Sequence, residues 1–223
     1  MSDPFPLRRE HLLPENLERA AELFRAAGLE IASAGERAAS LEATLESVDP
    51  GRDVWVFGYG SLMWNPAFHH VELVPARAAG WHRRFCLWNT FGRGSPENPG
   101  LTLALESGGS CAGVALRIAA DQVRAELTVL WNREMLTGAY LPRWVRLASP
   151  AGPIAAVTFV ANRAHPRYAG RLPVERVARC LAHARGPLGE SREYLERTVA
   201  ELERHGARDG SMHALLRAVR SLA

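Results

Sequence analysis

The stretch LTLALESGGSCAGVALRI, residues 101–118, decides how the middle of this chain is read. Its halves, Leu101–Glu106 and Cys111–Ile118, are short runs rich in Leu, Val and Ala on either side of Gly108-Gly109. Glycine adopts positive φ without steric penalty, so Glu106-Ser107-Gly108-Gly109-Ser110 reads as a hairpin connection that pairs the two runs antiparallel. Similar runs surround it at Val54–Gly58, Val71–Ala76, Gly80–Trp88, Trp144–Ala148 and Ile154–Ala161, separated by Gly and Pro. A single helical pattern interrupts them near residues 121 to 137, and helical patterns return from Val174, in runs ending near Gly186, Gly206 and Leu222. Strands gathered in the middle and helices at the ends lack the alternation of a doubly wound sheet. The expected class is α+β, with five to seven short strands curling into a partly closed barrel.

Composition sets the outer bounds. The chain has 223 residues, 47% of them hydrophobic and 23% charged, which suits one substantial core and excludes collagen, disorder and a disulfide scaffold. Its apolar stretches, Ile154–Ala161 among them, fall far short of the roughly 20 residues of a membrane span, so no membrane partner is expected. All 27 basic residues are Arg; against 24 acids they leave a formal charge of +3, too small to imply nucleic acid. Cys86, Cys111 and Cys180 are odd in number and widely spaced, as reduced packing residues are. The local pair His69-His70 diverges in an extended chain, and neither a metal nor another cofactor is expected. Met1 to Glu10 holds Asp3, Pro4, Arg8, Arg9 and Glu10 with no apolar run behind it, and Glu15, Glu18 and Glu22 follow. The expectation is a cytoplasmic protein without a leader.

Residues 1–50 read as an N-terminal helical appendage, with apolar spacing at Leu17, Ala20, Ala21 and Phe24 and again at Leu41, Leu45 and Val48. Asp49-Pro50-Gly51 closes it, and residues 51–223 form the main domain. The appendage carries no group suited to proton transfer. It is expected to pack on the barrel or mediate self-association, in a monomer or weak homo-oligomer.

The central helix, DQVRAELTVLWNREMLTG from Asp121 to Gly138, reads as capped by Asp121 and ended by Gly138. At about 100° per residue, Val123, Leu127 and Leu130 form one stripe, and Glu134 falls within it. Glu126 and Arg133 fall on a flank. A carboxylate at a core-facing position either finds a partner or lines a cavity, where burial raises its pKa toward that of a general acid and base. The alternative is that Glu134 emerges into solvent at the helix end or pairs with an Arg such as Arg143.

The first strand runs into Gly58-Tyr59-Gly60-Ser61-Leu62. Two glycines around an aromatic residue permit a tight turn, whose N–H groups can hold a carboxylate, phosphate or oxyanion. Known glycine motifs do not fit: Met63 stands where a dinucleotide fingerprint needs its third glycine, the chain has no Lys for a P-loop, and no glycine follows Ser61 two residues on. A strand-ending turn with a packed Tyr59 is the other reading.

Together these elements resemble the ChaC-type γ-glutamylcyclotransferases, enzymes that degrade glutathione. The resemblance spans Val54 to Leu222 and rests on ordered markers: Val56 to Asn65 (VFGYGSLMWN), Gly80-Trp81 with Arg84-Phe85, Gly92-Arg93-Gly94, and Gly113-Val114-Ala115. It continues through Arg133 to Tyr140 (REMLTGAY), His165-Pro166-Arg167-Tyr168 and Gly186-Pro187-Leu188-Gly189. Ala139 stands where a second Gly or Cys is common. The resemblance implies a small mixed β-barrel with flanking helices, glutathione as the small-molecule substrate, and Glu134 as catalytic acid and base. It implies substrate binding by the loop Val56, Phe57, Gly58, Tyr59, Gly60, Ser61 and Leu62. Arg93 is a candidate to pair with a substrate carboxylate, and Tyr140 and Tyr168 to donate phenolic hydrogen bonds. Other γ-glutamyl amines or dipeptides as substrates, and a non-catalytic γ-glutamyl sensor, are the competing readings.

Overall fold

A computed structural model describes residues 8–222; residues 1–7, on which most of the leader reading rests, lie outside the described residues. Three helices come first: α1 (Arg9–Leu12), α2 (Pro14–Ala26) and α3 (Ala34–Leu45). A capping box starts α3, with Ser33 Oγ accepting from the Glu36 N–H and the Glu36 carboxylate accepting from the Ser33 N–H. The strands β1 (Val54–Gly58), β2 (Glu72–Asn89) and β3 (Gly100–Ile118) follow. Helix α4 (Val123–Glu134) separates them from β4 (Tyr140–Ser149) and β5 (Gly152–Ala161).

These five strands close into a barrel in the order β1-β3-β2-β4-β5. Neighbours are antiparallel except at the seam, where Trp55 and Val56 of β1 lie parallel to Ala156 and Val157 of β5, and Leu105 of β3 meets Val160. Val56, Phe57, Val114, Leu116 and Val157 are fully buried in the core. The α+β class and the small mixed barrel with flanking helices expected from sequence are therefore found. The barrel is flanked by α5 (Val174–His183), α6 (Ser191–Arg204) and α7 (Gly210–Arg220). A two-residue pairing of β6 (Arg185–Gly186) with β7 (Gly189–Glu190) links α5 to α6. No helix among the described residues is long and apolar enough to cross a membrane.

One turn expected from sequence is absent. Residues 106–110 do not reverse the chain: β3 runs unbroken through Gly108-Gly109, and Val71–Ala76 and Gly80–Trp88 belong to one strand, β2, beginning at Glu72. The two long strands pair along their length, with the register stepping from Ala79 opposite Ser110 to Trp81 opposite Ser107. Gly80, Gly108 and Gly109 all take positive φ there. Opposed glycines thus bend both strands together at a bulge, sharpening the curvature that closes the barrel, where an isolated pair would have made a hairpin.

Helix α4 also corrects the reading of its ends and flank. Asp121 lies in a 3-10 turn over Ala120–Gln122 and caps nothing; the helix begins at Val123. It ends at Glu134, and Gly138, with φ of +70°, shapes the turn into β4 instead. Glu126, assigned to an exposed flank, is buried with only 1% of its surface accessible. The reason is that α4 buries two faces and leaves only Arg124 and Ala125 exposed: the barrel covers one buried face and the N-terminal segment the other. Arg9 grips the Glu126 carboxylate with both Nη atoms, and the His69 N–H donates to it at 2.8 Å. Asn132 donates to the Leu12 carbonyl at 2.9 Å and accepts from Arg37, while Leu12, Leu17 and Ala21 pack on Val129 and Leu136. Arg9→Met strands the Glu126 charge beside a single N–H donor, and a stability loss of about 1–3 kcal/mol is expected in urea unfolding. An unchanged unfolding midpoint would show that the pair does not hold the segment.

Candidate active site

Glu134 is the last residue of α4, at the foot of the stripe formed by Val123, Leu127 and Leu130, all three buried. Its side chain is 13% exposed, and the exposed part faces a cavity of about 220 Å³. A smaller recess continues inward from Glu134 to Tyr59, Gly60, Ser61 and Leu62. Burial pushes the Glu134 carboxyl above the usual carboxylate range, and Arg133, with Nε 3.0 Å from Oε1, draws it part of the way back. Desolvation is the larger influence. A carboxyl raised in this way is suited both to accept a proton and to return it.

Arg133 also fixes the facing turn. Its Nη2 donates to Ser61 Oγ at 2.7 Å and its Nη1 to the Asn65 carbonyl, so one guanidinium joins the carboxylate to the turn across from it. From the core side, Arg83 donates Nη1 to the Tyr59 carbonyl at 2.5 Å and Nη2 to the Ala112 carbonyl, with Nε 3.0 Å from Asp209. Asp209 in turn caps α7 through the Ser211 and Met212 N–H groups. The turn is held from both sides before any ligand arrives, the condition for pre-organised recognition of charge. Gly60 has φ of −142°, so its conformation does not demand glycine. Its space does: a Cβ there would lie 2.8 Å from the Tyr194 hydroxyl.

Tyr140 lines both the cavity and the recess and donates to the Leu103 carbonyl at 2.7 Å. Tyr59 donates inward to the Phe159 carbonyl at 2.6 Å. Burial, with further repulsion from the Glu134 charge, lifts both phenols well above their usual value. Tyr194 of α6 sits over the turn and is likewise pushed up to about 12, mainly by burial. All three stay protonated at neutral pH.

The remaining sequence candidates divide. Arg93 lines the cavity, but its Nη1 donates to the Glu190 carbonyl at 2.7 Å and to Glu193 at 3.1 Å, and its guanidinium lies 5.7 Å from the Tyr194 ring centre. Val56, Phe57 and Gly58 belong to the β1 ladder and line neither the cavity nor the recess. Tyr168 is a correction. It lines neither space, and its hydroxyl donates to Glu106, a buried carboxylate that also draws Arg84 and Arg163. A buried carboxylate needs donors, and the tyrosine supplies one on the far side of the sheet.

Three contributors went unread in the sequence. Arg133 looked like a flank residue, Tyr194 lies in a helix with no motif of its own, and the N-terminal segment lends Leu12, Leu17 and Phe24 to the cavity wall. Phe24 meets Phe91 across the mouth with ring centres 4.9 Å apart. The 3.6-residue spacing of Leu17 and Phe24 shows an apolar face but not what that face covers.

Arg133→Gln gives a test by pH. If Glu134 must be ionised to start turnover, kcat/KM falls as pH drops through its pKa, and losing the adjacent cation raises that pKa. The acid limb of the profile is expected to move to higher pH. An unmoved limb would contradict Glu134 as the titrating base.

The model of the ChaC-like protein family matches residues 54–222. The glutathione-specific gamma-glutamylcyclotransferase of Escherichia coli K12 is 44% identical over 191 residues, covering 85% of this chain and 83% of that one. Glutathione-specific gamma-glutamylcyclotransferase 1 of the rat is 35% identical over 192 residues, 83% of this chain and 86% of the relative. Among solved structures, a gamma-glutamyl cyclotransferase specific to glutathione from yeast matches with a TM-score of 0.70 at 21% identity, covering 76% of this chain and 96% of its own. That structural likeness speaks to the fold, and the family match runs through both the turn and the helix that ends in Glu134. The chain belongs to the ChaC-like family.

Proposed function

We propose that this protein is a glutathione-degrading γ-glutamylcyclotransferase, a lyase of the cytoplasm that releases 5-oxoproline and Cys-Gly. The observation that carries the reading is a desolvated carboxylate, Glu134, facing a braced glycine turn in a cavity lined by no Cys or His among the described residues. The hydroxyl of Ser61 accepts from Arg133, and no His lines either space among the described residues. Such a site suits a substrate that brings its own nucleophile.

In a γ-glutamyl peptide the α-amine reaches the γ-carbonyl carbon through a five-membered ring. Glu134 takes a proton from the α-ammonium, and the freed amine attacks the γ-carbonyl. The turn from Tyr59 to Leu62, which lines the recess beside Glu134, is the element placed to stabilise the developing oxyanion. As the tetrahedral intermediate collapses, Glu134 returns its proton to the cysteinyl nitrogen and the bond to that nitrogen breaks; Glu134 then carries the second proton of the ring nitrogen to the departing amine, which leaves as an ammonium. No water is consumed and no covalent enzyme intermediate forms. Holding the glutamyl arm folded for attack supplies much of the acceleration. Tyr140 and Tyr194, protonated and buried, wall the ring-closing space.

Incubation of the protein with glutathione, γ-glutamyl dipeptides and γ-glutamyl amines, each followed by detection of 5-oxoproline, tests the proposal. Release from glutathione is expected; turnover confined to γ-glutamyl amines would replace the substrate assignment.

A further inference from the structure

Four arginines line the cavity above Glu134: Arg93, Arg133, Arg167 and Arg197. Carboxylates of the chain engage three of them, Glu193 at 3.1 Å from Arg93 and 2.6 Å from Arg197, and Glu134 at 3.0 Å from Arg133. Arg167 has no carboxylate partner among the described residues. Its Nε donates to the Trp88 carbonyl at 2.7 Å and its Nη1 to Thr137 Oγ1 at 3.1 Å, two neutral acceptors that orient the guanidinium without neutralising it. Its backbone is pinned too, the Arg167 N–H reaching His165 Nδ1 at 3.1 Å and the Trp88 N–H reaching the Arg167 carbonyl at 2.8 Å. Burial works against its charge and lowers its pKa, yet an arginine stays protonated in a protein.

A cation half withdrawn from water without a counter-anion is costly, and a carboxylate on a ligand entering the cavity would offset that cost. The position says which part of a ligand. Arg167 lines the outer cavity but not the recess formed by the glycine turn, so it lies with the half of the substrate that leaves. Under the cyclotransferase reading that half is a dipeptide ending in a carboxylate. We propose that Arg167 is the anchor for this terminal carboxylate and selects acid-terminated γ-glutamyl peptides over γ-glutamyl amines. A planar guanidinium with fixed backbone and Nε bonds presents its remaining N–H groups as a fork, the geometry a carboxylate accepts. The inference rests on the proposed function and deepens it by naming what reads the leaving group.

The test compares glutathione with its glycine ethyl ester, which masks the terminal charge and little else. In the Glu134→Gln background, where turnover does not interfere, calorimetry is expected to show the acid binding about tenfold or more tighter than the ester. Adding Arg167→Gln should bring that ratio close to one, and Arg167→Lys, which keeps the charge without the fork, should leave part of it. Each ratio is taken within a single variant, so a general loss of folding lowers both affinities and leaves the ratio unchanged. Absence of an acid preference in the Glu134→Gln protein, or a preference undiminished in both Arg167 variants, overturns the assignment. Failure of the parent protein to release 5-oxoproline from glutathione would instead sink the proposed function, because the binding ratio reads Arg167 without requiring turnover.

Discussion

Glu134→Gln is expected to lower kcat on glutathione by about 10²–10⁴-fold while leaving the fold and most of the substrate affinity intact. The amide keeps the shape of the side chain and an oxygen for Arg133, but it can neither take the ammonium proton nor return it to the leaving nitrogen. The same substitution carries a stability signature. In the folded protein the Glu134 carboxyl is held above the usual carboxylate range by burial, so ionising it costs more there than in the unfolded chain. Its contribution to stability is therefore complete below the unfolded pKa and lost as pH rises through the folded one. Glu134→Gln should melt higher than the parent at pH 7, with the gap closing as pH falls toward the ordinary carboxylate range. Retention of more than about a hundredth of the parent rate would count against Glu134 as the acid and base.

Gly113→Ala is expected to produce a large loss of stability. Gly113 lies in β3 where the carbonyl of Gly58 crosses it, and a Cβ there would sit 2.2 Å from that oxygen and 2.9 Å from the Phe57 ring. Neither neighbour is free to move: Phe57 and Gly58 are in register with Ala115 and Val114, and Thr158 Oγ1 bonds the Phe57 carbonyl at 3.0 Å. One methyl group must push two strands apart, at the upper end of the about 1–3 kcal/mol typical of overpacking. At roughly 2–4 °C per kcal/mol for a domain of this size, calorimetry should find the melting temperature lowered by about 5–10 °C. Because the displaced carbonyl leads directly into the glycine turn, the surviving folded fraction should also bind glutathione more weakly. Parent-like melting would mean that the strand crossing is looser than its spacing indicates.

What the sequence disclosed followed the physics that each pattern encodes. β1 stood out because an apolar run stops at a glycine, and Glu134 because a helix stripe carries phase from its interior, whatever happens at its ends. Periodicity misplaces Glu126, since it assigns one buried face and α4 has two. Its partner, Arg9, is 117 residues away in the chain and leaves no local mark. The Gly108-Gly109 pair misled for a related reason. Whether opposed glycines turn a chain or bend it depends on what the neighbouring strand does, and here β2 continues beside them with Gly80 bulged to match. Tyr168 and Arg167 are consecutive residues of one marker segment, yet the first serves Glu106 and the second the cavity. The chain turns there, with the Tyr168 N–H donating to the His165 carbonyl at 2.8 Å, and a motif read as a unit conceals that its side chains go separate ways.

Under the proposed mechanism the substrate's own amine, relieved of its proton by Glu134, displaces the leaving peptide without water. Turnover of glutathione in ¹⁸O-labelled water, with the products resolved by mass spectrometry, tests it most directly. Unlabelled 5-oxoproline in equal amount with Cys-Gly is expected. Glutamate carrying ¹⁸O in its γ-carboxylate would contradict it, because water and not the α-amine would then have attacked the γ-carbonyl.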